Sequence, residues 1–212
     1  MRRRLFAVLV AVVALLVTGC DLRLATPAGA GPLRYRDAIF TAVTKTSDIT
    51  YGSANNQQGQ LVTLRMDLYE PTGDTVDQRP VIVLVHGGSF RSGSKTSAEL
   101  VDQANVYAKQ GYVGASISYR LAPNGCVTIT AECVNAIRDA KNDAQAAVRF
   151  LRSKAADYRL DGTRIAMAGS SAGAITAIEV GYGPEEVGNS GNPGFDSSIR
   201  AAVSLSGAKI LT

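Results

Sequence analysis

The chain has 212 residues, of which 46% are hydrophobic and 19% charged, enough length and apolar content for one globular domain with a real core. Arg2, Arg3 and Arg4 supply three of its +4 formal charges, so the remainder carries only +1. That balance gives no basic surface for a nucleic-acid partner, and no cysteine–histidine cluster calls for a metal or cofactor.

The first segment reads as an export signal. Positive residues at Met1–Arg4 precede an unbroken run of 13 apolar residues, Leu5–Val17, and then Val17-Thr18-Gly19-Cys20. At 1.5 Å per residue such a run is too short to cross a bilayer comfortably, which favours a secretory signal over a transmembrane helix. The residues before Cys20 resemble a bacterial lipobox. That resemblance implies cleavage after residue 19, acylation of Cys20 and a membrane-anchored lipoprotein of the bacterial envelope. Asp21 resembles an inner-membrane retention signal. Asp21–Pro32, rich in Ala, Gly and Pro, reads as a flexible tether, with residues 20–40 set apart from a folded domain over 41–212.

Apolar runs then alternate with helical patterns, the sequence form of a mainly parallel sheet with helices on both faces. Leu61–Glu70 alternates polar and apolar residues and predicts a strand ending at Pro71. Val81–Val85 is a short aliphatic run suited to a buried central strand. Ser97–Gln110 predicts a helix stopped by Gly111, and Tyr112–Tyr119 the next strand. Asn135–Ala156 is the longest helical pattern, with Ile137, Ala144, Ala147, Val148 and Leu151 on its apolar face. Arg164–Ala168 predicts a buried strand, Ala172–Glu179 a helix, Gly181–Pro193 a loop and Arg200–Ser206 a last strand. Between them, Cys126 and Cys133 lie seven apart on a loop of an exported chain and are expected to pair as a loop staple without a catalytic role.

Two motifs carry chemistry. Gly169-Ser170-Ser171-Ala172-Gly173 is a G-x-S-x-G with a buried strand entering and a helix leaving. A sharp strand-to-helix turn crowds the backbone, so small residues at 169, 172 and 173 leave room for it and lift Ser171 Oγ above the sheet. His86-Gly87-Gly88-Ser89-Phe90 directly follows the strand ending at Val85. Its small residues let backbone N–H groups approach a substrate oxygen, so Gly88, Ser89 and Ala172 are the expected oxyanion hole, with His86, Gly87, Gly169 and Gly173 as supporting residues.

Together these blocks resemble a carboxylesterase of the α/β-hydrolase superfamily, close to hormone-sensitive-lipase-like and feruloyl/acetylxylan-esterase-like enzymes. Met66-Asp67-Leu68-Tyr69-Glu70-Pro71 resembles the strand before the oxyanion loop. His86–Phe90 matches the oxyanion motif, with Ser89 replacing the third glycine of its HGGG form. Tyr119-Arg120-Leu121-Ala122-Pro123 matches the loop after the fourth strand, and Asp143–Arg152 with Asp161–Ile165 the approach to the nucleophile strand. Arg120, Asp143 and Asp161 are expected to be structural: strand-end pairing, helix surface and turn formation.

The resemblance implies a three-layer α/β-hydrolase fold and ester hydrolysis through an acyl-enzyme on Ser171. It also requires an acid and a histidine after the nucleophile, and the one histidine, His86, lies in the oxyanion motif. Asp196 precedes the last strand, ahead of the family's position for the acid. The expectation is a chain lacking the last strands and the triad Asp and His, with the missing C-terminal segment as a partner. The implied substrate is a small acyl or aryl ester, such as an acetyl or feruloyl group on plant polysaccharide. The alternatives are an amidase or peptidase of the same superfamily, and a non-catalytic surface lipoprotein on a decayed hydrolase scaffold. Completion of the site by a second polypeptide is a third.

Overall fold

The most apolar run of the sequence becomes the centre of the sheet. In the computed structural model, which describes residues 29–211, β3 (Arg79–Val85) lies between β4 (Val113–Ile117) and β5 (Leu160–Ser170), parallel to both. Val85 is in register with Ile117 on one side and Gly169 on the other. β2 (Leu61–Pro71) pairs antiparallel with β4, β1 (Val43–Asn55) antiparallel with β2, and β6 (Ala201–Leu205) parallel with β5. The strand order is therefore β1-β2-β4-β3-β5-β6.

Successive side chains of a strand point to opposite faces, and each face here has its own helices. Leu84, Tyr69 and Ala168 pack with Leu100, Ala104 and Ala108 of α1 (Ala98–Lys109). Val81, Val83, Val85 and Met167 pack with α2 (Ala131–Ser153) and α3 (Ala172–Tyr182) on the other face. These layers are the α/β-hydrolase architecture expected from the sequence. Element positions follow closely, with α1 one residue shorter at each end and β5 starting at Leu160.

Four differences have physical causes. β1 was not predicted, because it lies at the sheet edge and most of its side chains are exposed polar residues; Tyr51 is its main contribution to the core, donating its hydroxyl to Ser118 O at 2.6 Å. β2 does not lead into the oxyanion loop; it lies beyond β4, and β3 makes that entry. Helix α2 begins four residues before Asn135, where the Thr130 hydroxyl caps it by accepting from Cys133 N–H at 3.2 Å. The compact unit begins at Pro32 rather than at residue 41. Leu33–Phe40, expected as tether, is pinned by Arg34 to Asp74 at 2.5 and 3.0 Å and by Tyr35, Ile39 and Phe40 N–H groups to the carbonyls of Lys109 and Gln110. The expected signal peptide, Cys20 and the rest of the tether to residue 28 lie outside the described residues. Among the described residues no helix is long and apolar enough to cross a membrane.

Asp143 needs a further correction: it is fully buried, not on the helix surface. Its carboxylate accepts from Arg120 N–H at 2.8 Å, from Arg120 Nε at 3.0 Å and from the Ser190 hydroxyl at 2.5 Å. Arg120, itself 2% exposed, also donates to Asn55 O at 2.9 Å. Burial pushes the Asp143 carboxyl upward, and the Arg120 guanidinium and Ser190 hydroxyl oppose it. The pair ties the end of β4 to α2 and to the hairpin after β1. Asp161 forms the expected turn, accepting from Thr163 N–H at 2.8 Å and Thr163 Oγ1 at 2.6 Å.

Removing one member of a buried, hydrogen-bonded ion pair leaves the other charge uncompensated. Arg120→Ala should therefore lower unfolding stability by about 3–5 kcal/mol in urea titration; a loss below about 1 kcal/mol, the range of exposed pairs, would contradict this role.

Candidate active site

Ser171 stands between the last residue of β5 and the first of α3, with φ 52° and ψ −117°. A side chain in that left-handed region costs about 1–3 kcal/mol and persists only where surrounding contacts impose it. Here Ser171 N–H donates to Leu205 O of β6 at 2.9 Å, and Ser171 O accepts from Ile175 N–H at 3.0 Å. The glycines make room. A β-carbon at Gly173 would stand 2.0 Å from Val85 O, and one at Gly169 would stand 2.4 Å from the Gly173 backbone. The first turn of α3 therefore lies directly on the ends of β3 and β5, and Ser171 is exposed while Gly169, Ala172 and Gly173 are buried. Its Oγ forms no hydrogen bond among the described residues.

The loop after β3 lies against this turn. A β-carbon at Gly87 would be 3.4 Å from Ser171 Cβ. Gly88 has φ 103° and room only for hydrogen, since a β-carbon there would meet Ser92 O at 2.2 Å. Gly88 O accepts from Arg91 N–H at 2.9 Å and Ser92 N–H at 3.1 Å, while Ser89 and Phe90 have φ 52° and 58°. The N–H groups of Gly88, Ser89 and Ala172 have no acceptor among the described residues, which suits donors waiting for a ligand oxygen.

A cleft of about 100 Å³ joins these parts, lined by Ser171, Ala172, Ser89, Cys126 and the apolar side chains Phe90, Ile129, Ile137, Ile175 and Ile210. A larger cleft of about 380 Å³, at Arg152, Thr163, Asp196 and Arg200, does not include Ser171. Sequence reasoning did not find the apolar walls: Ile137 was legible only as a helix face, and Ile175 and Ile210 carried no separate signal. Ile210 reaches the cleft because the buried Glu179 carboxylate accepts from Ile210 and Leu211 N–H at 2.5 and 2.8 Å. Cys126 and Cys133 form the expected disulfide, with α-carbons 4.6 Å apart.

The His86 ring is held by its own loop and by Tyr119. Its Nδ1 lies 2.7 Å from Gly87 O, an acceptor only, so Nδ1 carries the ring proton. The ring stacks on Tyr119 at 4.2 Å, and the Tyr119 hydroxyl donates to His86 O at 3.1 Å. Its Nε2 is buried without a partner among the described residues. Asp196 is engaged in its own turn, accepting from Ser198 N–H at 2.6 Å and Ser198 Oγ at 2.7 Å.

A strand entering and a helix leaving a strained serine turn is the context that separates a nucleophile elbow from a chance glycine-rich loop. By class the protein is an α/β-hydrolase, and the chains it is similar to include carboxylesterases. Within that class the chain belongs to the BD-FAE family, whose sequence model matches residues 66–208. It is 34% identical over 113 residues to a probable isoprenylcysteine alpha-carbonyl methylesterase of Oryza sativa, covering 53% of this chain and 24% of that protein. It is also 34% identical over 103 residues to the carboxylesterase NlhH of Mycobacterium tuberculosis, covering 48% of this chain and 29% of NlhH. The propionate-bound structure of esterase Est2 from Thermogutta terrifontis superposes with a TM-score of 0.61 at 27% identity, over 78% of this chain and 56% of that one. The chain thus matches about a quarter of the length of these two curated relatives and somewhat over half of the solved esterase.

Burial holds the His86 imidazole below its ordinary value of 6.5. The unfolded chain therefore takes up a proton that the folded chain refuses, so this contribution is complete above about pH 6.5 and is lost as pH falls toward the lowered folded value. Between about pH 7.5 and about pH 5.5, unfolding titrations should show the wild type losing more stability than His86→Gln. Parallel profiles over that window would contradict a buried neutral ring.

Proposed function

We propose that this chain carries the nucleophile and the oxyanion site of a serine hydrolase acting on small carboxylic esters. The observation that carries the reading is Ser171 itself: a left-handed serine, exposed beside the buried Gly169, Ala172 and Gly173, with N–H groups on two sides of its cleft that have no acceptor among the described residues. Ser171 Oγ would attack the ester carbonyl, and the oxyanion formed would accept hydrogen bonds from Ala172 N–H and from the Gly88 and Ser89 N–H groups. Collapse of this intermediate expels the alcohol and leaves an acyl group on Ser171, which water then removes. The cleft of about 100 Å³ and its isoleucine walls suit a short acyl group. Est2, holding propionate in one structure and butyrate in another, supports that size.

The proton on Ser171 Oγ needs a base. His86 is the only histidine in the sequence, and its ring is committed to Gly87 and Tyr119. On this reading the base and its orienting carboxylate would come from a further segment or a second polypeptide. The leader and Cys20 support an exported lipoprotein held at a bacterial envelope membrane by acyl chains.

Hydrolysis of p-nitrophenyl acetate and butyrate by the full chain, against Ser171→Ala, tests the assignment. The expected result is weak turnover, no more than about 10³–10⁴-fold above water, the ceiling for a triad without its base, of which the part that passes through an acyl-enzyme disappears in Ser171→Ala. Robust Ser171-dependent turnover would place a base within the chain. A folded chain that hydrolyses neither ester faster than buffer alone would favour the non-catalytic lipoprotein.

A further inference from the structure

The oxyanion loop holds two consecutive side-chain-bearing residues, Ser89 and Phe90, in left-handed conformations. A local turn in which Gly88 O accepts from Arg91 and Ser92 N–H spans both residues, and the segment after β4 adds two further bonds. Cys126 N–H donates to Ser89 O at 2.8 Å, and Ala122 N–H donates to Phe90 O at 2.8 Å. Gly125 sits so close that a β-carbon there would stand 2.4 Å from Ser89 O. These bonds fix the peptide planes on either side of Phe90, while the plane before Ser89 is held by the local turn. Gly88 O is taken by Arg91 and Ser92 N–H, and because a trans peptide sends its N–H opposite to its C=O, Ser89 N–H must leave the turn on the other side. Ser89 O is taken by Cys126 N–H, which fixes the following plane. The bracing segment is an irregular loop between Tyr119 and the Thr130 cap of α2, and the Cys126–Cys133 bridge ties it covalently to the buried first turn of that helix.

We propose that the Cys126–Cys133 disulfide is a positioning element of the oxyanion site. By anchoring Cys126 to α2 it holds the Cys126 N–H on Ser89 O, and so braces the left-handed turn that directs Ser89 N–H to the substrate oxygen. Neither sulfur touches the reacting atoms in this role; Cys126 acts through Ser89. The inference rests on the esterase reading for its catalytic consequence, but its structural half stands apart from catalysis.

Two measurements on the full chain separate those halves. Hydrogen exchange compares the oxidised wild type with Cys126→Ala/Cys133→Ala, and with wild type reduced by a phosphine in case the double variant fails to fold. The expected result is loss of protection at the residue-126 amide and faster exchange across residues 88–92, with β3 and β5 unchanged. Unchanged exchange in residues 88–92 would overturn the proposal whatever the chain's activity. In steady-state hydrolysis of p-nitrophenyl acetate, the Ser171-dependent kcat should fall at least about tenfold on opening the bridge, toward the loss expected for one oxyanion donor, while KM stays within about twofold. A change in KM alone, or lower thermal stability with kcat intact, would show a structural staple and overturn the positioning role. Altered exchange together with no Ser171-dependent hydrolysis even in the oxidised protein would defeat the esterase reading and leave the bracing of Ser89 established.

Discussion

The contact on which the site depends is the one between Gly173 and the end of β3. Helix α3 begins so close to the sheet that its first turn rests on Val85 O, with no space for a β-carbon. That approach forces the chain to reverse within a single residue between β5 and α3, and the reversal falls on Ser171. A gentler turn would bury the serine or send it sideways. The strain at φ 52° is borne because both neighbours of the turn are fixed: β5 is paired on two sides, by β3 and β6, and α3 is packed against α2 and the sheet.

The same contact aligns the two halves of the proposed oxyanion site. Val85 precedes His86, so the strand end that receives α3 also launches the glycine loop, and the two sets of N–H groups approach one cleft without a long connection between them. His86 contributes to this as a packed ring, stacked on Tyr119 and bonded to its own loop. Tyr119 in turn begins the segment that braces Ser89 and ends at the disulfide. The site is thus a cooperative junction of β3, β4 and β5 ends, with most of its order carried by backbone bonds rather than by side-chain chemistry.

What the sequence revealed follows the range of the forces involved. Val81–Val85 and the glycine spacing around Ser171 are local requirements, visible because an aliphatic run and a steric demand for hydrogen each leave their mark in a few adjacent residues. Asp143 was misplaced because its partner, Arg120, lies 23 residues away, so a helix pattern could show only a polar residue in an apolar stretch. Leu33–Phe40 looked like tether for the same reason, since Arg34 meets Asp74 across 40 residues. Edge strand β1 has too few buried side chains to announce itself. The apolar cleft was hidden because its walls come from four separate segments.

Covalent capture would test the central claim, that this turn presents Ser171 as a nucleophile, most directly. The folded chain, incubated with p-nitrophenyl diethyl phosphate and digested for peptide mass spectrometry, should carry one diethylphosphoryl group, on Ser171. That group should be absent after denaturation before treatment and absent from Ser171→Ala. Modification of Ser170 instead, or equal labelling of folded and unfolded chains, would contradict the account.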